Sequence, residues 1–129
     1  MYTAFHHLHS LWAYLVLLML IIASANNLIK YFGKKEYQAR DFRINLFTLI
    51  VVHIMFLIGI VLLLVPPMGL KGVKIDHPIV MIAVAVLVTI GYSKHKKKLT
   101  STAKFKIIGI LYTLALVFCL SRIPWANWF

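Results

Sequence analysis

The sequence predicts an all-α integral membrane protein, a four-helix bundle, from three observations. The chain of 129 residues is 62% apolar with a mean hydropathy of +0.90, well above the roughly 45–50% apolar share of soluble domains. Four stretches reach the roughly 20 mostly apolar residues that a helix needs to cross about 30 Å of hydrocarbon. The 14 Lys and Arg against 3 Asp and Glu, a net charge of +11, fall in short blocks between those stretches. A nucleic-acid partner, which the net charge alone would suggest, is not expected from that distribution.

Taken in order, the first span covers about residues 8–29, with an unbroken apolar block from Leu11 to Ala23. The second covers 44–65 and is stopped by Pro66-Pro67, whose missing N–H groups cannot continue a helix. The third covers 77–93 and opens on Asp76-His77-Pro78, where Asp76 can cap the helix and Pro is tolerated in its first turn. The fourth covers 105–123 and closes on Pro124-Trp125-Ala126-Asn127-Trp128-Phe129, aromatics suited to the headgroup belt. Residues 1–129 therefore read as a single transmembrane domain. Met1 to Ser10 has no Lys or Arg to form an n-region, so the first span is expected to be retained rather than cleaved.

The interval between spans one and two carries Lys30, Lys34, Lys35, Arg40 and Arg43, and that between three and four carries Lys94, Lys96, Lys97, Lys98, Lys104 and Lys106. The opposite side has Lys71, Lys74 and Arg122. The positive-inside rule then puts both basic loops in the cytoplasm and both termini on the outer, periplasmic side of a bacterial cytoplasmic membrane. The basic loops are expected to contact anionic lipids.

Because lipid is as apolar as leucine, buried faces have to be found from small and polar residues. On the first span His6, His9, Ser10, Ala13, Leu17, Leu20, Ser24 and Asn27 fall within an arc of about 100°, away from His7, Tyr14 and Ala25. On the second, Asn45, Thr48, Phe56 and Gly59 share a face with His53 at its edge. On the fourth, Gly109, Tyr112, Thr113 and Leu116 align. The third offers two faces, Ala85-Thr89-Ser93 or His77-Met81-Val84-Val88.

Six histidines are the compositional feature able to carry chemistry, since intramembrane ionisable residues mark functional sites. His9 and His77 both begin spans at the outer interface, whereas His53 lies roughly 13 Å from the cytoplasmic end of its span, near the midplane. Two-histidine ligation of a b-type haem requires ligands at similar depth on facing helices, which makes His9 with His77 the first choice and His53 and His7 the second. Two other readings stand beside it: plain interfacial polar residues, or a transition metal held by His6, His9, Asp76 and His77. His53 is expected to hydrogen-bond a polar residue such as Tyr112 or Thr113 on the fourth span. No carboxylate pair lies in the interior, no Ser or Cys sits in a nucleophile motif, and no Gly-rich phosphate loop occurs. The single Cys119 permits no disulfide framework.

At His7-Leu8-His9-Ser10, at Phe47 to Gly59 around His53, at Asp76-His77-Pro78 through Gly91, and at Ser121-Arg122-Ile123-Pro124-Trp125, the chain resembles a family of small four-span inner-membrane proteins of Bacteroidetes, sometimes labelled cytochrome b-like. His7, His9, His53 and His77 match that family's histidines, and Leu11-Trp12-Ala13-Tyr14 stand where a Gly and an Arg-Trp pair often follow its first motif. The resemblance implies that haem ligands lie among those four histidines. Two functions are therefore expected: a haem-b-binding or accessory subunit of a membrane redox complex, or a cofactor-free structural subunit of a larger complex. Neither requires catalysis by this chain, and a homo-oligomer is also compatible.

Overall fold

The computed structural model describes residues 2–64 and 76–122, without the side chains of Tyr2, Phe5, Leu63, Asp76, His77 and Arg122. Pro66-Pro67, Lys71, Lys74 and the aromatic run 124–129 lie outside the described residues. The described chain is all-helical: α1 (Tyr2–Phe32), α2 (Ala39–Leu64), α3 (Asp76–Lys97) and α4 (Ser101–Arg122). Each helix is long and apolar enough to cross a membrane. All four begin before the apolar spans do, because a helix crossing the interface keeps its backbone bonds after its side chains become polar.

Local chemistry sets the helix ends at the two basic loops. α1 stops in a Schellman motif: Lys35 N–H donates to Lys30 O at 3.0 Å and Lys34 N–H to Tyr31 O at 3.2 Å, with Lys34 in the left-handed region at φ 53°. α2 starts with the Asp41 carboxylate accepting from the Gln38 N–H at 2.9 Å, three residues back, which satisfies a donor the helix leaves orphaned. α4 starts on Thr100, whose hydroxyl accepts from the Ala103 N–H at 3.1 Å.

The helices form a ring in chain order, closed by α4 against α1, with the sparsest packing along the α2–α3 seam. α1 faces α3 and α2 faces α4 across the diagonals. The core is layered from Val16, Leu17, Leu20 and Ala23 of α1, Val51 and Val52 of α2, Val84 and Val88 of α3, and Ile108, Tyr112, Ala115 and Cys119 of α4. Two glycines let neighbours approach closely: a Cβ on Gly91 would sit 3.0 Å from Leu111 Cβ, and one on Gly109 3.0 Å from Leu28 Cδ2. The α1 stripe follows the sequence pattern, with Ser10, Leu17, Leu20, Ser24 and Asn27 buried and His7, Tyr14 and Ala25 exposed. On α3, Val84 and Val88 face the core, while Thr89 turns toward α2 and Ser93 is exposed.

Candidate functional site

The end of the bundle that carries the two basic loops holds a polar network running through all four helices. Asn27 Nδ2 donates to Asn45 Oδ1 at 2.8 Å, and Asn45 Nδ2 donates back to Asn27 Oδ1 at 3.2 Å and to the Tyr37 hydroxyl at 3.1 Å. The Tyr37 hydroxyl is 2.7 Å from His95 Nε2, and His95 Nδ1 bonds the Tyr92 carbonyl. A carbonyl only accepts, so Nδ1 carries the proton, Nε2 accepts, and Tyr37 donates. Every polar atom of the Asn45 amide is thereby used. Tyr112 closes the α2–α4 diagonal, its hydroxyl donating to Asn45 O at 2.9 Å. Asn27, Asn45, His95 and Tyr112 are each fully buried, where an unmade hydrogen bond is costly.

Beside this network, Asp41 is fully buried and receives Lys30 Nζ at 2.7 Å and Asn26 Nδ2 at 2.9 Å. That carboxylate links the end of α1 to the start of α2. Tyr37 rides on the intervening loop, which its N–H ties to Ser101 Oγ at 2.8 Å, at the start of α4. Burial pushes the Tyr37 phenol up to about 12; the Asn45 hydrogen bond opposes this, and Asp41 and Tyr92 add to it. Around the block, Lys34, Lys35, Arg40, Arg43, Lys94, Lys97, Lys98 and Lys106 are exposed, and Lys30–Asp41 is the one ion pair among the described residues.

Sequence reasoning missed His95, Tyr37 and the burial of Asp41. Flanked by Lys94 and Lys96, His95 looks like part of a solvated basic run. The available signal was periodicity, since Val84, Val88, Gly91 and His95 continue one helical stripe, and all four are buried.

The histidines singled out from sequence fare differently. His9 is half-buried and turns toward α2, its Nε2 4.0 Å from where a Cβ on Gly59 would lie. The His77 side chain lies outside the described residues, so its pairing with His9 is not part of the described geometry. His7 is exposed. Among the described residues no three His, Cys, Asp or Glu side chains converge on a metal position; the side chains of two of the proposed metal ligands, Asp76 and His77, are not among those described. His9 is thereby set opposite Gly59, a residue without a side chain. About one turn further along α1, the Trp12 Nε1–H donates to Val51 O on α2 at 2.9 Å.

His53 does hydrogen-bond another helix, but its partner is not Tyr112 or Thr113. Its Nε2 is 2.8 Å from Thr89 Oγ1 on α3. α4 lies diagonally across the ring from α2, the Tyr112 hydroxyl is already used by Asn45 O, and the Thr113 hydroxyl is buried with no partner among the described residues. His53 and Thr89 edge a groove of about 290 Å³ on the α2–α3 seam, walled by Phe56, Ile82, Val86 and Ile90.

The fold and these sites define a four-helix protein built to be multi-pass in a membrane. Comparison with protein-family models, curated proteins and solved structures finds no match.

Proposed function

We propose that this chain is an accessory subunit of a larger complex in the bacterial cytoplasmic membrane, with both termini outside and the basic loops in the cytoplasm. The observation that carries this reading is the cytoplasmic end. Its buried polar groups are consumed by one another rather than directed at a cavity, while Lys and Arg side chains stand exposed around a locked core. Such a block suits docking against an acidic partner or anionic headgroups and lacks the open acid–base or nucleophile geometry of an enzyme. Native electrophoresis of mildly solubilised membranes tests it. The chain is expected in a species larger than its own oligomers, and substituting Lys94, Lys96, Lys97 and Lys98 with Gln should release it while leaving helicity unchanged. Migration of the unmodified chain only as a monomer or homo-oligomer would refute the reading. Orientation has its own check: labelling of a Lys97→Cys variant by an impermeant thiol reagent in intact cells would mean the topology is inverted.

A second reading, binding of haem b near the outer face, is favoured by the inward placement of His9 beside Gly59 and by the cytochrome b-like resemblance. His9 and His77 are its first-choice axial ligands, His53 and His7 the second; the exposure of His7 counts against it. Haem would supply one-electron chemistry, and the chain would supply neutral imidazoles. Protein purified from haem-replete cells without a Soret band and without the pyridine haemochrome of haem b would eliminate it. If His53→Ala abolishes a haem spectrum that His9→Ala and His77→Ala leave intact, the ligand lies at mid-depth instead.

A further inference from the structure

In the α2–α3 groove, hydrogen-bond direction leaves one open acceptor. Thr89 Oγ1 donates its single proton to Ala85 O at 2.7 Å, so it must accept from His53 Nε2–H at 2.8 Å. A neutral imidazole has one N–H, and here it is spent. His53 Nδ1 is left as a bare acceptor on an exposed ring, near the middle of α2, where a bilayer has neither water nor headgroups to donate to it.

The shape of the groove narrows what can supply that donor. On α3 it runs from Ile82 to Ile90, about 12 Å at the rise of a helix, against about 30 Å for a partner helix crossing the hydrocarbon. Its volume of about 290 Å³ stands at the lower end of small-ligand sites. Phe56, Ile82, Val86 and Ile90 give it apolar walls, with an aromatic ring on the α2 side. The occupant must therefore dissolve in the membrane, be compact, and carry a hydrogen-bond donor; an aromatic ring with a hydroxyl meets all three and can stack on Phe56.

From this we propose that the groove binds the ring of a lipid-soluble hydroquinone, whose aromatic hydroxyl donates to His53 Nδ1. The same bonding discriminates between redox forms. A quinone carbonyl can only accept, so it would face a bare nitrogen. To meet it, His53 would have to move its proton to Nδ1, and Thr89 would have to give up its bond to Ala85 O and donate to Nε2. The hydroquinone needs neither change. The site therefore holds the reduced form in preference to the oxidised one. This inference rests on the membrane-spanning fold and not on the accessory-subunit or haem readings.

The test uses the full chain in lipid nanodiscs, with ¹⁵N-labelled histidine, titrated with a short-chain benzohydroquinone, its benzoquinone and its dimethyl ether. The hydroquinone should bind about tenfold more tightly than the other two, the upper range for one net hydrogen bond, and should shift the His53 Nδ1 resonance. Thr89→Val removes the group that fixes the tautomer, and should bring hydroquinone and quinone affinities together. His53→Phe should abolish the preference. Val86→Trp fills the groove from its α3 wall while keeping both His53 and Thr89, and should block binding at unchanged helicity, separating occupancy from folding. Equal affinities for all three compounds, an unshifted His53 resonance, or a preference that survives His53→Phe would overturn the proposal. So would a dimer that covers the groove and is not displaced by the hydroquinone.

Discussion

The basic-loop end of the bundle and the α2–α3 seam both place polar side chains between helices, yet they do so under opposite rules. At the basic-loop end, Asn27, Asn45, Tyr37 and His95 donate and accept in one continuous chain, and Asp41 meets Lys30, Asn26 and the Gln38 N–H together. On the seam, His53 and Thr89 meet once, at the edge of a groove, and one imidazole nitrogen stays open. A closed network locks helices in register, because each group lost leaves a partner buried and unpaired. An open pair contributes little to stability and leaves binding capacity over. The contrast separates the structural polar residues of this bundle from those available for function.

The largest expected effect tests the closed end. Asp41→Leu leaves the Lys30 ammonium without its carboxylate and should cost about 3–5 kcal/mol, as for other broken buried pairs. Reversible unfolding in mixed micelles measures this, and a loss below about 1 kcal/mol would mean the pair is effectively solvated. Tyr37→Phe, next in size, strands His95 Nε2 and takes one of the two bonds of Asn45 Nδ2, at an expected cost of about 1–3 kcal/mol.

That variant also carries a pH signature. The folded phenol is pushed up to about 12 from an ordinary 10.0, so the stability it contributes is complete below pH 10 and is lost as pH rises toward 12. Subtracting the Tyr37→Phe profile from the parent's should leave an alkaline loss confined to that window. A flat difference would show that the phenol is freely solvated.

Lys34→Gly should stabilise the closed end by about 0.5–1 kcal/mol, since Lys34 holds the left-handed position that glycine adopts without a steric cost. Destabilisation there would show that the Lys34 side chain has a contact worth more than the backbone strain. The smallest change is expected at the seam. His53→Leu should alter stability by about 0.6 kcal/mol, typical of an interhelical hydrogen bond in a membrane. A cost as large as that of Asp41→Leu would erase the distinction between the two regions.

Much of the bundle is legible without coordinates. The Ser10–Leu17–Leu20–Ser24–Asn27 stripe is marked by small and polar residues that lipid does not tolerate outward, and the buried Gly109 and Tyr112 of α4 are marked in the same way. His95 was not legible from composition, because a histidine between lysines looks solvated unless its phase with Val84 and Val88 is followed past the apolar span. Asp41 was assigned to a loop because the span was started at its apolar residues, whereas the helix starts at Ala39. The partner of His53 could not be read at all from one helix, since Thr89, Tyr112 and Thr113 all offer hydroxyls at plausible depth.

By itself, the sequence determined the four helices, their approximate spans and the clustering of basic residues in two short loops, because the length and apolarity needed to cross a membrane are properties of each segment alone. Tertiary structure decided which helices are neighbours and which are diagonal. From that order follow the turning of His53 to Thr89, the burial of His95 against Tyr37, and the site that stays open. In a bilayer an apolar side chain is equally at home against lipid or another helix, so hydropathy cannot rank the packings, and the pairing of polar groups across helices does.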